Sequence, residues 1–176
     1  LQIPLIPIGA LSAVAVQAAG RLPQHLILAA LDARMDEAYF AAYVDDVAHG
    51  LVILQPPVLL PAAQLSAFIA QRLPLWHSRA PAALGVCCIG EGWSLQGVVA
   101  NLPLGGIVDD LHARPTAQSV AILALRDWRA GQTVLPEHAA PLYLRDRVAF
   151  TVAERALGEG GNPRALAPGQ AALVPM

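Results

Sequence analysis

The stretch ILAALDARMDEAYFAAYVDD, residues 27–46, decides the fold because it places a cluster of charges between two apolar segments. Its first part and its aromatic second part contain the residue types that β-strands favour. A third strand-like segment, LVILQ, follows at 51–55 after another polar turn. We therefore predict strands at 25–31, 37–44 and 51–55, joined by short turns into an antiparallel meander.

Helices are predicted on both sides of this meander. GALSAVAVQAAG at 9–20 is apolar nearly all round, so its helix is expected to be buried on more than one side. A second helix is expected from Pro61 to about Leu73, where apolar residues recur at helical spacing. Residues 74–81 follow as a predicted loop.

The remaining segments predict one more strand and one more helix. ALGVCCIGEGW at 83–93 is typical of a buried strand that ends in a glycine turn, and residues 94–115 are expected to be mostly loop. Residues 116–131 predict the clearest helix, with Thr116 as its N-cap. An extended piece is expected at 141–151.

This order of elements predicts an α/β fold, the ribonuclease H-like lobe: a helix, a three-stranded antiparallel meander, and then alternating helices and strands. Such a lobe occurs twice in actin-like ATPases, where one copy usually needs a partner lobe to build a nucleotide cleft. We expect one lobe over residues 1–150. Residues 151–176 are rich in Gly, Pro and Ala, which is typical of a disordered tail.

The composition narrows the classes of function. The 176 residues are 56% hydrophobic and 14% charged, the net charge is −2, and all eleven basic residues are Arg. Because no basic run is present, binding of nucleic acid by this chain alone is not expected.

Pro4, Pro7 and Gly9 interrupt the uncharged start, so neither a signal peptide nor a membrane span is expected. The adjacent Cys87 and Cys88 would point to opposite faces of a strand, which disfavours a mutual disulfide and fits a reducing cytoplasm.

Motifs for catalysis or metal binding are largely missing from the sequence. It has no Walker-type glycine loop, no Cys-x-x-Cys pair and no serine in a nucleophile elbow, and its histidines are scattered. Asp109, Asp110 and His112 form the densest titratable group outside the hairpin; they could hold a cation, although a solvated loop face is favoured. Asp32 and Arg34 should share one side of the hairpin, where they could form an ion pair. This pattern favours a hairpin held by side-chain contacts over acid–base catalysis, and it leaves a role as a contact surface open.

Three tryptophans are candidate anchors for a partner: Trp76, Trp93 and Trp128. Trp128 belongs to the apolar face predicted for the last helix, together with Val120 and Leu123. We therefore expect Trp128 to pack in the core or at its boundary.

Five segments resemble the TsaB family, also called YeaZ, and they occur in the family's order. ALDARMDEAYFAAY at 30–43 is similar to the family segment in which Asp-Ala-Arg, two variable residues and Glu-Val-Tyr follow a strand. EHAAPLYLRDRVAFT at 137–151 looks like the family's ending around Tyr-Leu-Arg. IPLIPIGALSAVA, IGEGW and ARPTAQSVAILA resemble the family's helix entry, its Gly-x-Gly-Trp turn and its last long helix.

The chain also departs from the family pattern. Ala38 stands where the family has a branched residue, and the family's Asp-Thr strand and Gly-Pro-Gly-Ser-Phe-Thr-Gly helix start are not in this sequence. The resemblance therefore implies the C-terminal lobe of a TsaB-like protein. The family's motifs match ten residues, which become candidates for structural or interface roles: Asp32, Arg34, Glu37, Tyr39, Gly90, Gly92, Trp93, Tyr143, Leu144 and Arg145.

The resemblance also implies a function. It implies a non-catalytic scaffold or dimerisation subunit of the complex that makes N6-threonylcarbamoyladenosine at position 37 of tRNAs reading codons that begin with A. The chain would pair with a TsaD-like catalytic subunit and work with a TsaE-like ATPase. ATP and metal would be bound by those partners and not by this chain. A homodimer is a further expectation, and tRNA would be contacted only indirectly.

Two other classes of function stay open. An actin-like ATPase or a TsaD-related peptidase acting on its own would need catalytic carboxylates, for which Asp32, Asp109 and Asp110 are the candidates. A lobe used only for self-association would pair through a sheet edge and the apolar first helix.

Overall fold

A mixed five-stranded sheet with helices on both faces forms the part of the chain that the computed structural model describes, residues 3–22, 24–46, 49–95 and 107–145. The strands are β1 Leu26–Arg34, β2 Glu37–Asp46, β3 Gly50–Pro61, β4 Val86–Ile89 and β5 Ile107–Val108. The helices are α1 Ala10–Ala19, α2 Ala62–Arg79 and α3 Ala117–Arg129, with short 3-10 turns at Glu91–Ser94 and Pro136–His138.

The strand order β3-β2-β1-β4-β5 contains the predicted antiparallel meander. Strand β2 pairs antiparallel with both β1 and β3, whereas β4 runs parallel to β1, and β5 runs parallel to β4. The register of β1 and β2 runs from Leu26 opposite Val44 to Asp32 opposite Ala38. The predicted α/β lobe is confirmed.

Both faces of the sheet are covered, which explains why β1 begins with an uninterrupted apolar run. Leu28 and Ala30 belong to the core between the sheet and α2, whereas Ile27 and Ala29 belong to the core formed with α1 and Leu123 of α3. Helix α1 is buried within the chain itself, as expected from its apolar composition.

The boundaries of β3 and α2 differ from those predicted. Strand β3 continues to Pro61 and α2 continues to Arg79, so residues 74–79 are helical and not a loop. Pro74 removes one backbone donor from α2. The helix persists because Trp76, only 1% exposed, packs in the core with its ring centroid 5.9 Å from that of Phe40.

Two further differences concern a short strand and one face of a helix. Strand β5 lies inside 94–115, which was expected to be loop. In α3, Thr116 and Ser119 form a reciprocal capping box and Leu123 is buried, as the helix prediction required. The expected core or boundary position of Trp128 is wrong, because its side chain is 59% exposed on the side of α3 that faces away from α1 and the sheet.

The cysteines lie where a buried strand would place them. Cys87 and Cys88 are free thiols in β4 and belong to the two cores on opposite faces of the sheet. Burial raises the pKa of each thiol to about 12.

None of the helices in the described ranges is long and apolar enough to cross a membrane. The extended piece predicted at 141–151 is described only to residue 145, and the tail predicted at 151–176 lies outside the described residues.

Candidate functional site

The tip of the β1–β2 hairpin carries the first group of predicted site residues. Arg34 and Glu37 are the last paired residues, and Met35 and Asp36 form the two-residue turn between them. Arg34, Met35 and Asp36 have backbone φ angles of 65°, 58° and 58°. Three consecutive non-glycine residues in the left-handed region strain this turn, so its shape depends on contacts from its surroundings.

The predicted ion pair at this tip is present. Asp32 Oδ1 accepts a hydrogen bond from the backbone N–H of Arg34 at 2.7 Å, and Asp32 Oδ2 lies 3.1 Å from Arg34 Nη1. The Arg34 side chain is 85% exposed, so solvent screens the attraction and the pair contributes about 0–1 kcal/mol. These contacts fit Asp32 holding the local backbone, as the sequence pattern favoured.

Glu37 differs from its charged neighbours because it is buried. It is 4% exposed, and its Oε2 lies 2.6 Å from Nη2 of Arg145, a residue from the far end of the described chain. No donor in the described ranges is aligned with Oε2 well enough for a hydrogen bond. The contact is therefore chiefly an attraction between two buried charges, which is costly to break from one side.

Arg145 also contacts the hairpin backbone. Its Nη2 donates a hydrogen bond to the carbonyl of Ala33 at 2.9 Å, and its Nη1 lies 2.9 Å from Met35 Sδ. Ala33 lies in a β-bulge, where it has no partner on β2. Its carbonyl thus accepts a hydrogen bond from a side chain that is distant in the sequence.

These residues surround a groove of about 350 Å³ between the hairpin tip and the chain near Arg145. Its lining brings together Arg34, Tyr39, Tyr143, Leu144 and Arg145, all singled out from the sequence. The groove is accessible along its outer side, where Tyr143 is 79% exposed and Leu142 is 59% exposed. The sequence reasoning missed three of the lining residues, Ala33, Met35 and Leu142. They lie beside the recognised positions in both motifs, so each motif taken as a whole would have included them.

The second group of predicted residues, the Gly-x-Gly-Trp turn, forms part of the core. Trp93 is fully buried, and its Nε1–H donates to the carbonyls of Leu28 and Ile89, each at 3.1 Å. A Cβ on Gly92 would lie 2.8 Å from the carbonyl carbon of Ala30. The glycines thus let the turn lie against β1. Trp93 packs at the end of the core between the sheet and α2. This geometry indicates a structural role and not an exposed anchor.

The acidic loop after β5 is held by an ion pair to Arg21 and by contacts within the loop. Asp109 forms an ion pair with Arg21, and Asp110 Oδ1 accepts a hydrogen bond from the backbone N–H of His112 at 2.8 Å. Nearby, Arg114 Nη2 lies 2.6 Å from Glu91 Oε2. Within the described ranges, no group of three His, Cys, Asp or Glu side chains could hold a metal ion.

A second surface cavity, of about 340 Å³, lies beside the β2–β3 turn and the end of α2. Asp45, Asp46 and His49 line it, and His49 Nδ1 lies 2.7 Å from Asp46 Oδ1. Burial, followed by the negative charge of Asp46, raises the pKa of the Asp45 carboxyl. The only signal for this cavity in the sequence is the polar run DDVAHG, which also fits an ordinary turn.

Comparisons with known proteins agree on one group of relatives. The chain is 28% identical over 156 residues to "tRNA threonylcarbamoyladenosine biosynthesis protein TsaB" of Escherichia coli strain K12, covering 85% of this chain and 60% of that protein. It matches a solved structure of YeaZ from Pseudomonas aeruginosa with a TM-score of 0.61 and 26% identity, covering 80% of this chain and 60% of the other.

A second solved structure, of a Pseudomonas aeruginosa protein described as similar to the peptidase YeaZ, matches with a TM-score of 0.62 and 27% identity. That match covers 81% of this chain and 59% of the other. No protein-family model matches the chain. The chain thus spans about 60% of the length of the relatives that it matches.

Proposed function

We propose that the chain is a TsaB/YeaZ-type protein over the region that it shares with these relatives, and that it is a non-catalytic component of the machinery that makes N6-threonylcarbamoyladenosine at position 37 of tRNA. The observation that carries the proposal is the agreement of sequence and fold. The same group of proteins is found at 26–28% identity by both comparisons, over 80% or more of this chain.

The proposed partner in the cytoplasm is a TsaD-like catalytic subunit, which works with a TsaE-like ATPase. ATP and metal would be bound by those subunits, and tRNA would reach this chain only through the assembly. A net charge of −2 supports the last point, since direct binding to the phosphate backbone requires a positively charged surface.

The contacts of the carboxylates support a non-catalytic role. Asp32 binds Arg34, Asp109 binds Arg21, and Asp110 binds the backbone of its own loop. Each candidate for independent ATPase or peptidase chemistry is thus engaged in a structural contact. ATP hydrolysis by the purified chain that is lost in Asp32→Asn would contradict this assignment.

The groove at the hairpin tip is the proposed contact surface for the partner. Around it, Arg34 offers an exposed guanidinium, and Met35 and Tyr143 offer exposed apolar surface at 49% and 79%. Arginine and tyrosine are the residue types that contribute most often to the energy of protein interfaces.

Cellular tRNA provides the test of the function. In the organism that carries this chain, depletion of its gene should lower the amount of N6-threonylcarbamoyladenosine in digested tRNA, measured by mass spectrometry, and the restored gene should return it. An unchanged amount after depletion would overturn the proposed function.

A binding experiment tests the surface separately. Tyr143→Ala should weaken the complex with the TsaD-like subunit by roughly tenfold or more, measured by calorimetry. Leu84→Ala is the matched control, because Leu84 is also apolar and 73% exposed but does not line the groove. Equal losses in both variants, or none in Tyr143→Ala, would place the contact surface elsewhere.

A further inference from the structure

A short segment near the end of the described chain crosses the hairpin tip without forming a strand. This segment, residues 139–145, is called the strap below. Near its start, backbone hydrogen bonds run to Pro136 and His138, inside the preceding turn. Regular strand pairing therefore does not explain why the strap lies on the hairpin.

The burial of the strap is concentrated at its end. Leu142 and Tyr143 are 59% and 79% exposed, so most of their apolar surface remains in water. The Arg145 side chain is only 10% exposed, and that of its partner Glu37 is 5% exposed. The strap thus buries a charge deeply while its largest apolar side chain, Tyr143, and its neighbour Leu142 stay outside, which is the reverse of ordinary apolar docking.

Arg145 contacts three groups of the hairpin. It neutralises the buried Glu37 carboxylate, it satisfies the carbonyl of Ala33 in the β-bulge, and it contacts the thioether of Met35 in the strained turn. Removing the guanidinium would leave a buried carboxylate without its charge partner and would break the hydrogen bond to the Ala33 carbonyl.

We propose that Arg145 is a latch: its contacts with Glu37 and the Ala33 carbonyl fasten the strap, and its release frees the strap while the sheet stays folded. The ion pair between Arg145 and Glu37 holds the strap in place, because the exposed side chains of Leu142 and Tyr143 bury little apolar surface. An open latch exposes the Glu37 carboxylate to water and removes one wall of the groove.

The strap offers a direct readout of this latch. Chymotrypsin cleaves after Tyr and Leu, so Tyr143 becomes a cleavage site once the strap can leave the hairpin and enter the protease. With the full chain, Arg145→Met and Glu37→Gln should each speed cleavage after Tyr143 by roughly tenfold or more. Hydrogen exchange of the amides in β1 and β4 should stay as slow as in the parent, which shows that the sheet remains folded.

A double variant distinguishes the latch from two independent effects. Once the pair is broken from one side, breaking it from the other should add little, so Glu37→Gln with Arg145→Met should be cleaved about as fast as the faster single variant. Arg114→Met is the control, because it breaks an exposed Arg–Glu pair whose Arg side chain is 71% accessible. It should leave the cleavage rate unchanged.

Three results would overturn the proposal. They are unchanged cleavage in Arg145→Met, multiplied effects in the double variant, and exchange in β1 that rises in parallel with cleavage. If either charge-removing variant fails to fold, Arg145→Lys replaces it. Lysine keeps the charge but cannot reach two acceptors with one planar fork, so it should speed cleavage less than tenfold but measurably. Cleavage of Arg145→Lys at the parental rate would then contradict the latch.

Discussion

Gly92 provides a sharp test of how the turn after β4 is built. A Cβ at this position would lie 2.8 Å from the carbonyl carbon of Ala30, 2.8 Å from the backbone nitrogen of Leu31 and 2.9 Å from the Ala30 Cβ, distances below the 3.0 Å that real Cβ atoms respect. Two of these three atoms are backbone atoms of β1, a strand held by β2 on one side and β4 on the other. Because β1 is held on both edges, its backbone cannot move away from a new Cβ without disturbing the sheet. Gly92→Ala should therefore overpack the core.

The expected cost follows from this geometry. Overpacking typically costs 1–3 kcal/mol, and contact with a clamped backbone places Gly92→Ala near the upper end, at about 3 kcal/mol. For a chain of this size, each kcal/mol lowers the melting temperature by about 2–4 °C, which gives a loss of roughly 6–12 °C. Thermal unfolding followed by circular dichroism measures the temperature, and urea unfolding measures the free energy.

Gly20→Ala is the matched control for this prediction. Gly20 ends α1 with φ −66°, and a Cβ there would meet nothing within 4 Å. Alanine should therefore stabilise the chain by about 0.4–1 kcal/mol, because it restricts the unfolded state without strain in the folded one. If Gly92→Ala melts within about 2 °C of the parent, the close approach of this turn to β1 does not constrain the residue, and the reasoning fails.

Three further predictions concern the core, the hairpin and alkaline pH. Trp93→Phe removes the donor to two buried carbonyls and should cost about 1–3 kcal/mol in urea unfolding, whereas a loss below about 0.5 kcal/mol would contradict these bonds. Replacing Met35 and Asp36 by Asn and Gly, which accept positive φ, should stabilise the chain by about 0.5–1 kcal/mol, and destabilisation would show that the left-handed turn is misassigned. Burial raises the pKa of Tyr43 to about 12, so between pH 10 and 12 the unfolded chain loses a proton that the folded chain keeps. The free energy of unfolding should then fall by about 1.4 kcal/mol per pH unit from this group, and Tyr43→Phe should remove that part of the slope.

The local features of the fold could be predicted from the sequence because they depend on neighbours along the chain. The apolar segments and the short polar turns between them predict the meander, and Thr116 predicts the start of α3. The ion pair between Asp32 and Arg34 is local in the same sense, since two residues of one strand two positions apart share a face.

The family's motifs also carried information that no local pattern contains. They marked Glu37 and Arg145 as residues of interest, although nothing in the sequence indicated that the two would meet. Their roles at a partner interface remain predictions, as does the proposed function of the groove beside Arg145.

Only the tertiary structure decided the features that depend on distant contacts. The buried Trp76 keeps α2 helical past Pro74, and the position of α3 outside α1 leaves Trp128 in water. Arg145 reaches the Ala33 carbonyl across 112 residues of chain. A sequence pattern indicates which residues can be buried and which are charged. Only the packing of segments far apart in the chain decides that the Glu37 carboxylate is removed from water and that Arg145 becomes its charge partner.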